Sequence, residues 1–459
     1  MTTLHQPSAH RQQPTTISHD EGGLFGWWRD ADRRARHAFI AASLGWMLDS
    51  FDVMLYAIVL ASLIEDPTLH LSMGVAGVLG SITLLSAAAG GIAFGVIADR
   101  VGRKQALMLA VLIYSIFTAA CGFAQTALQL AVFRVLLGIG MGGEWATGVA
   151  LVSETFPARH RGKALAFVQS SWAIGYGLAA LVNLIVMPLW GWRGVFFVGV
   201  LPALFTLWIR RNVEEPKMWR SVDRAERGRF SALFKPEIRS VTVAIALMNS
   251  CCLFAWWGLN AWVPAYLQLP PEQGGIGLSS TVMSLFVIAM QVGMWFGYIS
   301  FGFIADAVGR KRTYVIYVLS AAVLLPLYGV LRAPTALLVL GPFVAFFGTG
   351  YFSGLGAVVA ELYPTTVRAT AAGFCYNVGR IASAAAPYSI GSVAATRGFG
   401  VAFTITGAAF LLAAVCWKCL RFMVLVPINH TASASSGILL CRARPSCATT
   451  ASRVRATSM

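Results

Sequence analysis

Gly95-Val-Ile-Ala-Asp99-Arg100-Val-Gly102-Arg103-Lys104 stands between two long apolar runs. It returns as Gly302-Phe-Ile-Ala-Asp306-Ala307-Val-Gly309-Arg310-Lys311. The aspartates are 207 residues apart. A second pattern repeats at the same interval: Glu154, Pro157 and Arg161 against Glu361, Pro364 and Arg368. Two different patterns at one spacing mark an internal duplication, so the chain reads as two homologous halves.

The surroundings of these segments set the fold class. Of 459 residues, 57% are hydrophobic and only 12% charged, against about 25% charged in an average soluble chain. A water-soluble domain so poor in charge could not cover its surface. The apolar runs are long and unbroken, which excludes the alternating ten-residue segments of a membrane β-barrel. A bilayer core roughly 30 Å thick needs about 20 apolar residues per helix. Runs near 38–64, 75–98, 105–124, 128–150, 164–188, 191–210, 240–268, 279–304, 313–331, 335–360, 370–394 and 398–420 meet that length. The expectation is an all-α membrane protein of about twelve spans, in two pseudo-symmetric six-helix bundles. The boundaries read as an N-terminal segment 1–37, a bundle 38–210, a basic linker 211–238, a bundle 239–420 and a disordered tail 421–459.

The net charge of +16 would suggest nucleic acid in a soluble protein. Here the cations sit in alternate loops: Arg29 to Arg36, Arg100 to Lys104, Arg159 to Lys163, Arg210 to Lys235, Arg310 to Arg312, and Arg368. The other loops hold only Arg193, Arg332 and Arg397. The positive-inside rule then places both termini in the cytoplasm of a multi-pass plasma-membrane protein, in bacteria the inner membrane. No nucleic-acid partner is implied, and a monomer is expected. The polar N-terminus shows no cleavable signal. Eight cysteines lie mostly within apolar runs, so neither a disulfide framework nor a metal site is expected. No nucleophile, base and orienting group share a pocket motif, so the chain reads as a non-enzyme without cofactor.

Ionisable residues inside the apolar runs are the candidate chemistry. Asp49 and Asp52 are three apart and share a helix face, which Tyr56 extends. Asp52 falls roughly 20 Å into its helix from the cytoplasmic end. An ionised carboxylate there costs several kcal/mol unless paired or hydrated. Gaining and losing a proton at such a place is what a proton symporter needs, although a structural ion pair would also explain it. Arg134, with its planar fork of donors, is the natural partner for a carboxylate of protein or substrate. Arg380 lies near the middle of its helix, with Asn377 one turn before it. A cation between two halves is where an anionic substrate docks; a salt bridge between the halves is the alternative. Glu144 reads either as a second protonation site or as a tie to a cytoplasmic-side cation. Gly138-x-Gly140-x-x-Gly143 fits a dinucleotide motif, but no strand precedes it, and small residues inside a membrane helix serve close packing.

The duplicated G-x-x-x-D-R-x-G-R-K loop and Arg134-Val-Leu-Leu-Gly138-Ile-Gly140 resemble the signatures of the major facilitator superfamily, over roughly residues 38–420. Leu48-Asp49-Ser50-Phe51-Asp52 resembles the paired-aspartate motif of organic-acid:proton symporters in that superfamily. Met141-Gly142-Gly143-Glu144-Trp145 and Tyr376-Asn377-Val378-Gly379-Arg380 resemble its sialate and lactate branch. The resemblance implies the major facilitator fold and a gating role at the cytoplasmic face for Asp99, Arg103, Asp306 and Arg310. Glu154 with Arg161, and Glu361 with Arg368, resemble charge-relay pairs of the same face. The expected function is proton-coupled uptake of a small organic anion, a monocarboxylate or sialate-like acid. Asp49, Asp52 and Glu144 would couple the proton, and Arg134, Arg380, Tyr56 and Asn377 would bind substrate. A sugar or metabolite facilitator, or a proton antiporter that exports, is the alternative.

Overall fold

The computed structural model describes residues 26–156, 158–215, 233–236, 238–354 and 368–424, with most of their side chains. Among them the chain is helical, with one 3-10 turn at Pro271–Gln273. The first half comprises α1 (Gly26–Arg29), α2 (Arg33–Glu65), α3 (Met73–Val101), α4 (Arg103–Cys121), α5 (Ala127–Thr155), α6 (Ala158–Val198) and α7 (Pro202–Asn212). The second comprises α8 (Arg239–Asn260), α9 (Val263–Gln268), α10 (Ser280–Val308), α11 (Arg310–Val330), α12 (Pro334–Thr349), α13 (Arg368–Ser383) and α14 (Ala385–Val424). Four helix starts carry the oxygen side chain that their free N–H groups need. Asp32 caps α2, Ser72 caps α3, Thr126 caps α5 and Ser279 caps α10.

Among the described residues ten stretches are long and apolar enough to cross a bilayer. Two of them, Lys163–Asn212 and Gly373–Trp417, hold 50 and 45 residues, about twice what one crossing needs. Each breaks at a glycine with positive φ, 62° at Gly191 and 81° at Gly398, a conformation that only glycine adopts readily. These two stretches therefore cross twice each, and the described residues make twelve crossings. The two break points are 207 residues apart. So are Gly102 and Gly309, with φ of 126° and 95°, which turn the chain inside the duplicated motif. The repeat seen in the letters is thus a repeat of backbone geometry.

The twelve crossings form two pseudo-symmetric six-helix bundles. In the first, α2 packs on α6, and α3 and α4 pack on α5; in the second, α8 packs on α13 and α14, and α10 on α12. Between the halves α6 meets α10, α3 meets α13 and α14, and α2 meets α9. The outer surface carries Ile92, Val323, Val339 and Leu412, each more than half exposed, as a lipid-facing belt requires. Arg103, Lys104, Arg310, Lys311 and Arg312 start α4 and α11 at one end of the bundle, hereafter the basic end. The opposite end is the far end.

Glycine sets how closely α3 and α5 approach. A Cβ on Gly142 would strike the carbonyl oxygen of Ala87, and one on Gly90 the carbonyl oxygen of Ile139. Gly138, Gly140 and Gly143 likewise face Thr83 and Ser86, Tyr114, and the Phe94 ring. All three glycines of the false dinucleotide motif are helix-packing positions. Gly142→Leu is expected to destroy the monodisperse, thermally stable species in detergent, since overpacking a filled contact costs about 1–3 kcal/mol or more. Gly302→Ala, where a Cβ meets nothing within 4 Å, should leave the melting temperature of the purified protein unchanged.

At the far end one carboxylate fastens the α2–α3 turn to the break in α6. Asp66 accepts hydrogen bonds from Thr68 N (2.8 Å), Thr68 Oγ1 (2.5 Å) and Trp192 Nε1 (2.8 Å), and pairs with Arg193 Nη1 at 3.3 Å. Burial by itself pushes this carboxyl up, but the Thr68 and Trp192 hydrogen bonds and the Arg193 charge outweigh it and hold the pKa at about 2. A pKa lowered by folding adds stability above the ordinary carboxylate value and loses it as pH falls through the folded value. Asp66→Asn should therefore melt lower than the parent at pH 7, and the gap should narrow between pH 4 and pH 2 in a thermal-unfolding series.

Candidate functional site

Asp49 is the middle residue of α2 and is 1% exposed. Glu144, past the middle of α5 toward the basic end, is also 1% exposed, and Arg380 on α13 is 2% exposed. The three come together at the centre of the molecule. Arg380 acts electrostatically on both Asp49 and Glu144, and the two carboxyl groups act on each other. Local sequence explains how Glu144 gets there. Gly45 lies opposite on α2, and a Cβ on it would strike Glu144 Oε1. Glu144 thus faces Arg380, not a cation at the basic end.

No ion-pair contact closes this triad. Asp49 Oδ2, both Glu144 oxygens, and Nε and Nη2 of Arg380 are buried without a hydrogen-bond partner in the protein. Tyr376, one turn before Arg380, places its ring 5.3 Å from the guanidinium carbon. Helix α13 stops at Ser383, whose hydroxyl donates to the Arg380 carbonyl at 2.9 Å. A break in a membrane helix beside a charged centre is a device of transporter sites.

Asp52 lies off the triad, with both oxygens buried and without a partner. Its neighbours are Asp49, Tyr114 and Thr118. Thr118 gives its hydroxyl to the Tyr114 carbonyl at 2.8 Å. Arg134 does not join either carboxyl. It stands toward the far end with its guanidinium carbon 3.9 Å above the Tyr56 ring, and the Tyr56 hydroxyl donates to Ala76 O at 2.7 Å. Asn377 donates to Gly373 O at 3.1 Å and sets its Oδ1 near Gly91 on α3. It therefore belongs to the α3–α13 crossing.

Four tryptophans wall the centre between the halves. Trp46 and Trp172 lie 4.6 Å apart, Trp172 and Trp256 5.5 Å, and Trp256 and Trp257 4.8 Å. The indole N–H groups of Trp172 and Trp256 are buried without a partner. Trp172 is fixed by Ser50, which donates to its carbonyl at 2.8 Å one residue from Asp49. Sequence reasoning does not reveal their meeting, because Trp172 and Trp256 belong to different halves. Tyr114 was missed altogether.

The described hydrogen bonds between halves lie toward the far end. Gln268 donates to Ser62 at 3.3 Å, Asn183 to Ser280 (2.9 Å) and Ser284 (2.8 Å), and Tyr176 to Asn260 O at 3.2 Å. At the basic end the first half carries a charged cluster. Arg103 Nη2 pairs with Glu154 Oε1 at 3.2 Å and Nη1 donates to Ala98 O at 2.8 Å. Glu215 accepts from the N–H groups of Arg103 and Lys104, both at 2.9 Å. Arg310 opens α11. Glu361 and the side chains of Asp99, Asp306, Arg161 and Arg368 lie outside the described residues.

The family description "Major Facilitator Superfamily" matches residues 42–300 and 267–437. A probable 4-methylmuconolactone transporter of Cupriavidus pinatubonensis is 34% identical over 414 residues, covering 87% of this chain and 91% of the relative. The sialic acid transporter NanX of Escherichia coli is 30% identical over 386 residues, covering 84% and 93%. Among solved structures, a D-xylose-proton symporter superposes with a TM-score of 0.70 at 21% identity, over 84% of this chain and 98% of that one; at this identity the likeness speaks for the fold alone. The chain belongs to the Major Facilitator Superfamily, as a membrane transporter resembling the branch that carries sialic acid and related metabolites.

Proposed function

We propose that this protein is a proton-coupled importer of small organic anions, working by alternating access. The observation that carries the reading is the central triad. Asp49, Glu144 and Arg380 are buried together, electrostatically linked, and left without direct hydrogen-bond partners. A fixed guanidinium at bilayer depth is costly unless compensated. Its unused donors suit a carboxylate, which takes a charge-assisted bond from Arg. The carboxyl groups beside it can shed charge by taking a proton, so proton and anion load at one place.

The rest follows from position. The basic end faces the cytoplasm by the positive-inside rule, in the inner membrane of a bacterium. The far end, tied by the Ser62–Gln268 and Asn183–Ser280 bonds, is the external gate in its closed state. Arg103 and Glu154, with Asp99, Asp306, Arg310, Arg161, Glu361 and Arg368, serve the cytoplasmic gate. The tryptophan wall supplies flat apolar surface for the body of the substrate. The likeness to a sialic acid transporter supports an organic anion.

Uptake into vesicles with an imposed inward pH gradient tests this. A panel pairs each carboxylate with its uncharged amide, benzoate with benzamide among them. Carboxylates should accumulate and amides should not. Arg380→Lys should weaken apparent affinity roughly 10-fold to 100-fold, the loss of about 1.5–3 kcal/mol of charge-assisted bonding. Asp49→Asn and Glu144→Gln should abolish accumulation driven by the gradient while leaving exchange of substrate across equal pH. Gradient-driven uptake that survives in both variants contradicts the coupling role.

A further inference from the structure

Arg134 poses a charge problem that the central triad does not solve. It is 2% exposed, in the far-end third of α5. Among the described residues no carboxylate pairs with it; the ionisable groups that act on it are Tyr56 and Cys121, both ordinarily neutral. Its Nε and Nη1 have no hydrogen-bond partner. The Tyr56 ring face at 3.9 Å gives it a desolvated cation–π contact. Taking an ion out of water costs more than such a contact returns. The ring does not offset that alone.

Arg134 lines a cavity of about 20 Å³, together with Tyr56, Thr83, Trp257, Trp262 and Pro387 among others. Its size decides the occupant. About 10–15 Å³ suffices for one water-sized particle, so the cavity takes one small ion and excludes a ring-bearing acid. Its polarity decides the charge. The Tyr56 hydroxyl donates to Ala76 O, the Thr83 hydroxyl to Leu79 O, and the Trp262 N–H to Pro387 O. What Arg134 offers the cavity is donors and a positive charge. A water there would satisfy a donor and leave the charge uncompensated.

We propose that this cavity binds a single chloride ion, held by Arg134 between the two halves. Tyr56, Thr83 and Arg134 come from the first half, and Trp257, Trp262 and Pro387 from the second. Opening the far end parts these walls. Chloride therefore binds the far-end-closed state and stabilises it by mass action. The site is separate from the substrate centre at Arg380, and its ligand is too small to be the cargo.

The test uses the purified full-length protein in detergent. Chloride replaces gluconate at constant ionic strength while thermal unfolding is followed. The expected result is a saturable rise in melting temperature that bromide reproduces, that Arg134→Gln abolishes and that Arg380→Gln retains. Should Arg134→Gln fail to fold, crystals of the parent grown in bromide keep the question answerable. An anomalous peak at hydrogen-bonding distance from the Arg134 guanidinium is the expected outcome. Equal melting in both salts, a non-saturating rise that persists in Arg134→Gln, or bromide crystals with no peak at Arg134 would each overturn the proposal.

Discussion

A guanidinium cannot shed its charge, and a membrane interior cannot solvate it. That constraint organises the centre of this protein. Arg380 sits at 2% exposure between the two bundles, close enough to Asp49 and Glu144 for electrostatic coupling and too far for a direct ion pair. Its two partners are the kind of group whose charge is optional. On the proposed reading, the balance among one fixed cation, two carboxyl groups and an arriving anion is reset by a proton. Such a balance gives a cause for conformational change, because only a ligand with different free energies in two states can move the equilibrium between them.

The scaffold makes that centre possible through repetition and close packing. Positive-φ glycines recur 207 residues apart, at Gly102 and Gly309 and at Gly191 and Gly398, so the two bundles turn and break at matching places. Missing side chains at Gly90 and Gly142 let α3 press against α5, and Gly45 makes room for Glu144 beside α2. The charged groups arise from only part of the pattern. Asp49 and Glu144 belong to the first half and Arg380 to the second. An approximately symmetric frame thus holds an asymmetric charge arrangement, with the interface between the halves running through it.

Much of this was legible in the letters. The duplicated motif, the apolar runs and the asymmetric cations gave the class, the halves and the helix count, because each is written locally with a period or a spacing. Asp49 and Arg380 stood out because an ionisable residue in an apolar run is costly wherever it lies. What stayed hidden depends on which helices meet. Arg134 was matched with the aspartates by charge, yet the fold turns it onto the Tyr56 ring. Glu144 was weighed as a tie to the basic end, and α5 rotates it toward Arg380. Tyr114 and the meeting of Trp172 with Trp256 carry no local signal, since their partners stand far away in the chain. The double-length stretches Lys163–Asn212 and Gly373–Trp417 read in sequence as two apolar runs each, and the helices break at Gly191 and Gly398, where the second run of each begins.

The central claim is that anion and proton load at one buried site. The most direct measurement is the enthalpy of substrate binding to purified protein by calorimetry, in a series of buffers with different ionisation enthalpies. The slope of that series counts protons exchanged on binding. The account predicts uptake of about one proton for each anion bound at neutral pH, and a slope reduced toward zero when Asp49 and Glu144 are both made amides. Anion binding with no buffer dependence in the parent protein would contradict it.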